Sequence, residues 1–408
     1  MRRCKLPRTT LIGGLWLASA IAAQATGVGF GGSATGGAGH PVVEVRSLAD
    51  NGPGAPVIPG SLRDALSGGN RIVRFRVSGS IRLTHNLVVR GPNVTIDGSD
   101  APNGGIAIWN YSLVLQGDNL VVRHIRLRGS HPTETHDGLG IGGGADVLID
   151  HVSCSWATDE CIEMYGYDPT GPVRRVTIQH SLIAEAPEHR PGTSGMLVAG
   201  DVSDVTWYRN VFANNANRNP QICTGLRQSA SGSGGEELAG VGRYELVQNV
   251  IYNAIYGTRL WNQSSRWSIE LDAIGNLWLP GPRRPKVPIM IFANPPSLGP
   301  IRVFLRENVG PPRPDRRGLP CDDFSLERLN APCAGFAPEH AATTRQVADY
   351  PLPSGRAADA LDEILADVGA TRPCRDSADA RVLEELRGRK SRSVRSPEPL
   401  PDLSRACR

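Results

Sequence analysis

Aromatic residues and long apolar runs are both scarce in this chain of 408 residues. Phe, Trp and Tyr make up 5% of the sequence, and no segment beyond residue 25 is apolar enough to cross a bilayer. We therefore expect no membrane partner. The 47 glycines and 32 prolines instead favour a soluble protein of many short strands joined by turns.

The N-terminal residues have the composition of a secretory signal. Four basic residues precede an apolar stretch over residues 11–23, and Ala23-Gln24-Ala25 offers a small-x-small cleavage site. We predict a signal peptide over residues 1–25 and a secreted protein, either extracellular or periplasmic; a retained N-terminal anchor is the alternative. Removing the signal takes away four positive charges and no negative one, so the formal charge falls from +4 to zero. This balance predicts no nucleic-acid partner.

Seven cysteines lie beyond the predicted signal, and no two of them form a CxxC pair. The missing CxxC pair argues against a cysteine-ligated zinc site. Export permits disulfides, and an odd count leaves at least one cysteine unpaired in a monomer, which is the oligomeric state we expect. Cys321 and Cys333 flank a short polar loop, and we predict a disulfide between them.

A short strand pattern recurs along the middle of the chain. A polar residue followed by β-branched or apolar residues begins at positions 93, 119, 146, 175 and 204, which are 26, 27, 29 and 29 residues apart. A second apolar stretch follows most of these strands, as in His180-Ser181-Leu182-Ile183. A repeat of this size predicts a solenoid of stacked coils. Residues one repeat apart then become neighbours at the strand spacing of about 4.8 Å.

The strand pattern ends before a change in composition. Residues 26–310 carry the pattern, and residues 311–317 form a Pro- and Arg-rich run typical of a linker. Helical spacing of apolar residues follows over residues 356–368 and 377–387. We therefore expect residues 311–408 to be a linker and a partly helical tail that packs on the solenoid.

Two polar groupings in the repeats are interpreted as structural. Asn210, Asn249 and Asn276 recur at the same point of successive repeats, which predicts a stacked ladder at one turn. Asp150 and His151 are adjacent in a strand pattern, and adjacent strand residues point to opposite faces. We therefore do not expect these two to act as an acid–base pair.

Three acidic residues are spaced so that they meet on one face of the solenoid. Ile162 and Met164 alternate with Glu163, so the apolar pair should face the core and Glu163 the solvent. Asp159 lies at the entry of the same strand, and Asp137 precedes Glu163 by 26 residues, or one coil. Oxygen ligands clustered in this way favour a hard cation such as Ca²⁺, which relieves their mutual repulsion. Three solvated surface acids are the alternative.

A basic segment follows two coils later. Arg218-Asn219-Pro220 ends a coil that should stack two strands beyond Glu163, about 10 Å away. That separation suits a sugar unit held between a metal ion and a base. His189 and Arg190 lie on the coil between them. An arginine that simply pairs with a surface acid is the alternative for Arg218.

Six sequence blocks follow one another along the chain in a recognisable order. They are Gly60-Ser61-Leu62-Arg63-Asp64-Ala65, Ile72-Val73-Arg74-Phe75-Arg76-Val77-Ser78-Gly79-Ser80-Ile81, Val94-Thr95-Ile96-Asp97-Gly98, Leu148-Ile149-Asp150-His151, Arg218-Asn219-Pro220 and Arg375-Asp376-Ser377-Ala378-Asp379-Ala380-Arg381-Val382. In this order they resemble the pectate lyases of polysaccharide lyase family 1. The resemblance covers residues 28–280 continuously and adds a block in the tail. It implies an all-β fold, a right-handed parallel β-helix (a solenoid) with a short helical C-terminal tail.

The resemblance implies cleavage of polygalacturonate (pectate), an acidic polysaccharide, by calcium-assisted β-elimination. Asp137, Asp159 and Glu163 fall on the family's calcium-ligand positions, and Arg218 falls on the residue that abstracts the C5 proton. The family commonly has Asp-x-Asp at the first calcium position, whereas this sequence has Thr135-His136-Asp137. Thr135 thus removes one expected ligand, a loss for which the neighbouring Glu134 could compensate.

The substrate-binding positions also depart from the family pattern. A second basic residue often follows the proline of the arginine block, where this sequence has Gln221 and Cys223. Many members carry a lysine on the coil before the arginine, where only His189 and Arg190 stand. These two residues and Pro220 are the candidate substrate-binding residues, and a less acidic, methylated or decorated uronan is a possible substrate.

Two other functions are compatible with a β-helix. A glycoside hydrolase such as a polygalacturonase needs paired carboxylic acids, about 5–10 Å apart, and no metal. The Asn-Thr-Asp, Gly-His-Gly and Arg-Ile-Lys blocks of that family are missing from this sequence. A catalytically inactive β-helix that binds glycans is the third hypothesis, motivated by Thr135 and by the missing lysine.

Overall fold

The chain coils into a solenoid with three parallel sheets running along its length. The computed structural model describes residues 27–129, 134–167, 169–187, 194–228, 235–283, 287–293, 296–310, 340–347, 351–391 and 399–407. Successive coils contribute strands to the three sheets in turn, and within these sheets every strand pairs in parallel with a strand one coil away. The all-β right-handed parallel β-helix predicted from the sequence is confirmed. The predicted signal peptide and the predicted Cys321–Cys333 disulfide lie outside the described residues.

Sheet 1 has ten strands, and its members carry the repeat found in the sequence. Its strands are β1 Val42–Val45, β2 Arg71–Phe75, β5 Val94–Asp97, β8 Leu120–Arg123, β11 Gly144–Asp150, β14 Val173–Gln179, β17 Val202–Tyr208, β22 Gly240–Val247, β25 Trp267–Ile274 and β28 Ile301–Arg306.

Sheets 2 and 3 have eight strands each. Sheet 2 contains β3 Gly79–Arg82, β6 Ile106–Trp109, β9 Arg126–Arg128, β12 Ser153–Ser155, β15 Leu182–Ala184, β18 Val211–Ala213, β23 Val250–Tyr252 and β26 Leu277–Leu279. Sheet 3 contains β4 Leu87–Val89, β7 Leu113–Leu115, β10 Leu139–Ile141, β13 Glu160–Gly166, β16 Ser194–Gly200, β19 Gln221–Thr224, β24 Tyr256–Asn262 and β27 Val287–Ala293. A two-stranded hairpin, β20 Leu226–Gln228 and β21 Gly235–Glu237, extends from one coil. The helices are α1 Leu62–Ala65, α2 Leu361–Asp367 and α3 Ser377–Arg387. No helix among the described residues is long and apolar enough to span a membrane.

Residues with a left-handed backbone lie at or near the start of several strands of sheet 1. Asn93, Asn119 and Asp146 have φ values of 54°, 56° and 61°, a conformation that Asn and Asp adopt more readily than other side chains. These first residues of the sequence repeats are therefore left-handed; Asn93 and Asn119 directly precede β5 and β8, and Asp146 lies inside β11. Inward residues then stack into columns, such as Ile96, Val122, Ile149, Ile178 and Trp207, which are at most 1% exposed.

The predicted asparagine ladder is confirmed at the corner between sheets 1 and 2. Asn210 donates its side-chain amide to Oδ1 of Asn249 at 3.0 Å, and Asn249 donates to Asn276 at 3.1 Å. Asn308 continues the series at 2.9 Å. All four residues are at most 1% exposed. The hydrogen bonds of the ladder offset the cost of burying these side-chain amides, which would otherwise lack partners.

Segments outside the coils cover sheets 1 and 2. The N-terminal segment crosses the outer face of sheet 1, where the amides of Gly31 and Gly37 donate to Oγ1 of Thr177 and Thr95, both at 2.9 Å. Helices α2 and α3 bury an apolar cluster against the outer face of sheet 2. On sheet 3, by contrast, outward side chains such as Glu163 keep partial exposure.

The first tail helix is shorter than the sequence pattern indicates. Helical spacing begins at residue 356, but α2 starts at Leu361. The backbone amide of Ala357 donates to the carbonyl of Gly275 at 2.7 Å, which fixes the preceding residues on the solenoid. Ala360 supplies no side-chain cap, so nothing extends the helix toward its N-terminus.

Buried ion pairs hold α3 against sheet 2. The guanidinium of Arg128 contacts the carboxylates of Asp376 and Asp379 at 2.9 and 2.7 Å. The arginine side chain has no exposure and the two acids are 2% and 1% exposed. A disulfide between Cys374 and Cys407 lies beside this contact, and Cys154, Cys161 and Cys223 are buried free thiols.

Replacing Asp379 with alanine should destabilise the protein strongly. Asp379→Ala leaves part of the buried Arg128 charge without its partner, and breaking such a pair costs about 3–5 kcal/mol. The free energy of unfolding from urea titration measures the effect. Asp362→Ala is the matched control, because Asp362 is 98% exposed and its loss should change stability by no more than about 0.5 kcal/mol. Equal stability of the two variants would contradict the assignment of the buried pair as the anchor of α3.

Candidate active site

On strand β13 of sheet 3, side chains alternate between the core and the outer face, as the sequence predicts. Ile162 and Met164 have no exposure and face the core. Glu163 and Tyr165 point outward and are half-buried. Leu197, paired with Glu163 on the next coil, is also half-buried. This face therefore offers partly exposed side chains to solvent.

Four carboxylates meet at the start of β13. One oxygen each from Asp137, Asp159 and Glu160 lies within 4.8 Å of the others. The backbone amide of Glu160 donates to Oδ1 of Asp137 at 3.1 Å. The side chains of Asp137 and Glu163 lie close enough for each to shift the pKa of the other. The three acids predicted from the sequence are thus brought together, and Glu160 joins them.

The proximity of these acids makes their ionisation costly. Burial, reinforced by the charges of Glu163 and Asp159, raises the pKa of Asp137 well above its usual range. Burial and the charge of Asp159 raise the pKa of Glu163 to about 7. Burial also raises the pKa of Asp159, although Arg218 opposes the shift. Such repulsion is what a bound cation relieves.

Arg218 reaches this cluster from two coils away. Gln221 pairs with Leu197, which pairs with Glu163, so the stacking predicted from the repeat is confirmed. The guanidinium of Arg218 forms an ion pair with Glu160, and the residue has a left-handed φ of 57°. Burial, with the nearby charge of Arg259, lowers the pKa of Arg218, although Asp159 opposes the shift.

Glu160 was missed by the sequence analysis. Glu160, Ile162 and Met164 are two residues apart along β13, so strand alternation predicts that the side chain of Glu160 points inward with the other two. It is indeed buried, at 2% exposure, but it lies where the strand begins and contacts Arg218 rather than the apolar core. A charged residue at an inward position was the signal that could have found it, because a buried carboxylate needs a partner.

The remaining predicted site residues fall in two groups. His189 and Arg190 lie outside the described residues. Pro220 is buried and follows a cis peptide bond with Asn219. Thr135 is exposed beside the acids, while the carboxylate of Glu134 contacts His136 at 3.0 Å.

A buried amide network holds the loop that carries Arg218. Asn215 donates to the carbonyl of Ile183 at 2.9 Å and to Oδ1 of Asn219 at 3.2 Å. Asn219 donates to the carbonyl of Tyr256 at 3.0 Å. Because these asparagines bond to the coils on both sides, the backbone at Arg218 is fixed relative to its neighbours.

One structural premise from the sequence is wrong. Asp150 and His151 were expected to point to opposite faces, yet Nδ1 of His151 lies 2.8 Å from Oδ1 of Asp150. Strand β11 ends at Asp150, and His151 is a left-handed corner residue with φ of 52°. Strand alternation does not extend across such a corner, so the two side chains meet.

Solved structures show the same fold class. The crystal structure of jun a 1, the major cedar pollen allergen, aligns with a TM-score of 0.55 at 17% identity over 84% of this chain and 92% of the allergen. A pectate lyase from Bacillus sp. N165, in complex with trigalacturonate, aligns with a TM-score of 0.52 at 14% identity over 84% of this chain and 98% of the lyase. At these identities the likeness establishes the fold alone.

Curated sequences confirm the resemblance to pectate lyases. A probable pectate lyase C from Aspergillus oryzae is 37% identical over 272 residues, which is 65% of this chain and 56% of the relative. A probable pectate lyase C from Aspergillus flavus is 35% identical over 273 residues, which is 66% of this chain and 57% of the relative. The aligned part thus spans little more than half the length of these relatives. No family model matches the chain.

Adding a methyl group at Gly195 should disturb the Arg218 loop. A Cβ at this position would lie 2.8 Å from the carbonyl oxygen of Arg218 and 2.9 Å from side-chain atoms of Asn215 and Asn219. Overpacking of this kind costs about 1–3 kcal/mol, so Gly195→Ala should lower the free energy of unfolding by that amount. Gly52→Ala is the control, because a Cβ there meets nothing within 4 Å. Equal stability of both variants would show that the loop is not held as described.

Proposed function

We propose that this protein is a secreted, calcium-dependent pectate lyase that cleaves polygalacturonate by β-elimination and releases unsaturated oligogalacturonides. The observation that carries the proposal is the meeting of four carboxylates with Arg218 on the exposed face of sheet 3. A lyase acting on a uronan needs a cation for the sugar carboxylate and a base beside it. The curated relatives named probable pectate lyase C support the same activity.

The acidic residues fit a calcium ion by their donor chemistry. Asp137, Asp159 and Glu163 supply oxygen ligands, which Ca²⁺ prefers. Burial and repulsion by neighbouring acids raise the pKa of both Asp137 and Glu163, and a divalent cation bound between them would favour their ionised forms. Glu160 is already paired with Arg218. We therefore infer that the first three residues would hold the ion and that Glu160 positions the arginine.

Arg218 is proposed to accept the C5 proton of a galacturonate unit. When bound, calcium would neutralise the C6 carboxylate and make the neighbouring C–H bond more acidic. An arginine is ordinarily protonated, and so has no free lone pair to accept a proton, because its pKa exceeds about 12. Burial lowers the pKa of Arg218, which moves it in the required direction. The electrons of the broken C5–H bond would form the C4–C5 double bond as the glycosidic oxygen leaves C4.

The substrate is proposed to lie along sheet 3. The pectate lyase from Bacillus sp. N165 was solved in complex with trigalacturonate, and the uronan proposed here has the same chemistry. His189, Arg190 and Pro220 are the proposed substrate contacts. Gln221 and Cys223 are uncharged and buried, so the positive charge on this side comes from Arg218 and from Arg259, which pairs with Gln221 on the next coil.

The spacing of the acids disfavours an inverting hydrolase. That mechanism leaves about 6.5–9.5 Å between two carboxyl groups to admit a water molecule. One oxygen from each of Asp137, Asp159 and Glu160 lies within 4.8 Å of the others. This separation is shorter than an inverting pair requires, and it suits a shared cation.

Arg218→Ala should abolish elimination. The loss of a general base lowers kcat by about 10²–10⁴-fold. The assay is ultraviolet absorbance of the new double bond during incubation with polygalacturonate and calcium, followed by a chelator. Arg218→Lys serves as a second variant because it keeps a positive charge beside the buried Glu160, and circular dichroism monitors folding. Arg243→Ala, which removes an arginine paired with Asp204 on sheet 1, should keep the wild-type rate.

The outcomes of this assay separate the candidate functions. Wild-type rates in Arg218→Ala would remove Arg218 from the mechanism. Reducing ends released by the wild-type protein without absorbance would indicate hydrolysis. Binding of polygalacturonate without either signal would favour an inactive glycan-binding β-helix.

Glu163→Ala should raise the calcium concentration needed for half-maximal activity. The variant removes one proposed ligand from the cluster, so calcium affinity should fall while the rate at saturating calcium falls less. A calcium titration of the initial rate measures both effects. Glu236→Ala is the matched control, because its side chain is 70% exposed on the hairpin. An unchanged titration in Glu163→Ala would place the ion elsewhere.

A further inference from the structure

A second cluster of ligand-type side chains lies at the corner between sheets 1 and 2. Nε2 of His151 is 3.1 Å from Oδ1 of Asp367, and Nδ1 of His180 is 2.8 Å from Oδ2 of the same carboxylate. One ligand atom from each of the three residues lies within 4.8 Å of the others. The solenoid supplies both histidines, and the tail supplies the aspartate as the last residue of α2.

The coil repeat places the two histidines together. His151 and His180 are left-handed corner residues, with φ of 52° and 47°, one coil apart. Their rings stack with centroids 4.9 Å apart and planes inclined by 5°. Both side chains therefore present a nitrogen to the same point outside the corner, where Asp367 closes the group.

The residues that surround the cluster orient one of the histidines. Oδ1 of Asp150 lies 2.8 Å from Nδ1 of His151. Gln179 in turn donates its side-chain amide to Asp150 at 3.0 Å. A carboxylate behind the far nitrogen of a histidine is the usual support of a metal ligand, because it fixes the ring and its tautomer. This support leaves Nε2 of His151 directed at the cluster.

We propose that His151, His180 and Asp367 bind a divalent transition-metal ion such as Zn²⁺, with water completing the coordination. Two imidazoles and one carboxylate form a ligand set that zinc accepts with an open fourth position. The histidine side chains are 17% and 18% exposed and Asp367 is 50% exposed, so an ion can enter and retain water. Nitrogen ligands distinguish this site from the all-oxygen cluster on sheet 3.

A bound ion would take the place of the imidazole N–H hydrogens that now lie between the two histidines and the carboxylate of Asp367. Zinc–ligand bonds of about 2.0–2.1 Å place tetrahedral ligands about 3.3 Å apart. The two nitrogen–oxygen contacts, 3.1 and 2.8 Å, are somewhat shorter than this value, so small outward shifts of the side chains would admit the ion. Bound metal would join the tail to the solenoid and would thereby add to the stability of the folded chain.

Cobalt(II) is the probe that tests the site. Tetrahedral cobalt with nitrogen ligands absorbs strongly in the visible range, whereas cobalt in an all-oxygen site of higher coordination absorbs weakly. The full chain should develop the strong band with one equivalent of cobalt and lose it on addition of zinc. His180→Ala and the more conservative Asp367→Asn should both remove the band, and thermal unfolding without metal shows that each variant is folded.

Two further variants sharpen the assignment. Asp150→Asn should weaken zinc binding by about 10–100-fold, the usual effect of losing the support of a ligand. Asp159→Asn, in the acidic cluster on sheet 3, should leave the cobalt band unchanged. Isothermal titration with zinc measures the affinities.

The proposal is overturned by either of two results. One is that the wild-type protein shows no strong cobalt band and no zinc-dependent rise in Tm, which would make the cluster an ion-pair network only. The other is that Asp159→Asn removes the band while His180→Ala keeps it, which would place the metal in the acidic cluster. Neither result depends on pectate cleavage, so the test is independent of the proposed function.

Discussion

In-register parallel pairing between successive coils is the constraint on which the rest of the structure depends. Each strand bonds to the strand about 4.8 Å away, so a residue's neighbours are fixed by its position in the repeat. Inward positions must then match along the axis, as Ile149 and Ile178 do. Polar residues at one corner must also match, which produces the bonded ladder from Asn210 to Asn249. The same pairing brings Asp137, Glu163 and the Arg218 segment within reach of one another although they are far apart in sequence.

Coverage of the solenoid decides where chemistry can occur. A strand buried on both faces presents no side chain to a polymer, and the N-terminal segment and the tail bury the outer faces of sheets 1 and 2. Sheet 3 keeps partly exposed outward residues. The proposed polysaccharide substrate needs an extended surface with a few convergent polar groups, and this face is the candidate for it. The Arg128 anchor beneath α3 holds the tail on sheet 2.

Both ligand clusters draw side chains from neighbouring coils. On sheet 3 they are acids, Asp137 from one coil and Asp159, Glu160 and Glu163 from the next, whose mutual repulsion is relieved by a hard cation. At the corner between sheets 1 and 2 they are His151 and His180, whose nitrogens suit a transition metal. Acids on sheet 3 and imidazoles at the corner would thus select different ions on one scaffold. The corner cluster also needs Asp367 from the tail, so it forms only when the tail is docked.

The sequence by itself determined the repeat, the direction in which Ile162, Glu163 and Met164 point, and the coil on which each acid lies. These follow from local periodicity, which the chain carries in its residue order. Tertiary structure alone decided the partners of residues that periodicity does not place. Strand alternation predicts an inward side chain for Glu160, yet Glu160 pairs with Arg218. The side chain of His151 meets that of Asp150 because the corner at His151 interrupts the alternation. Such contacts depend on the path that the chain takes at the corners and in the tail. The periodicity of the sequence does not predict that path.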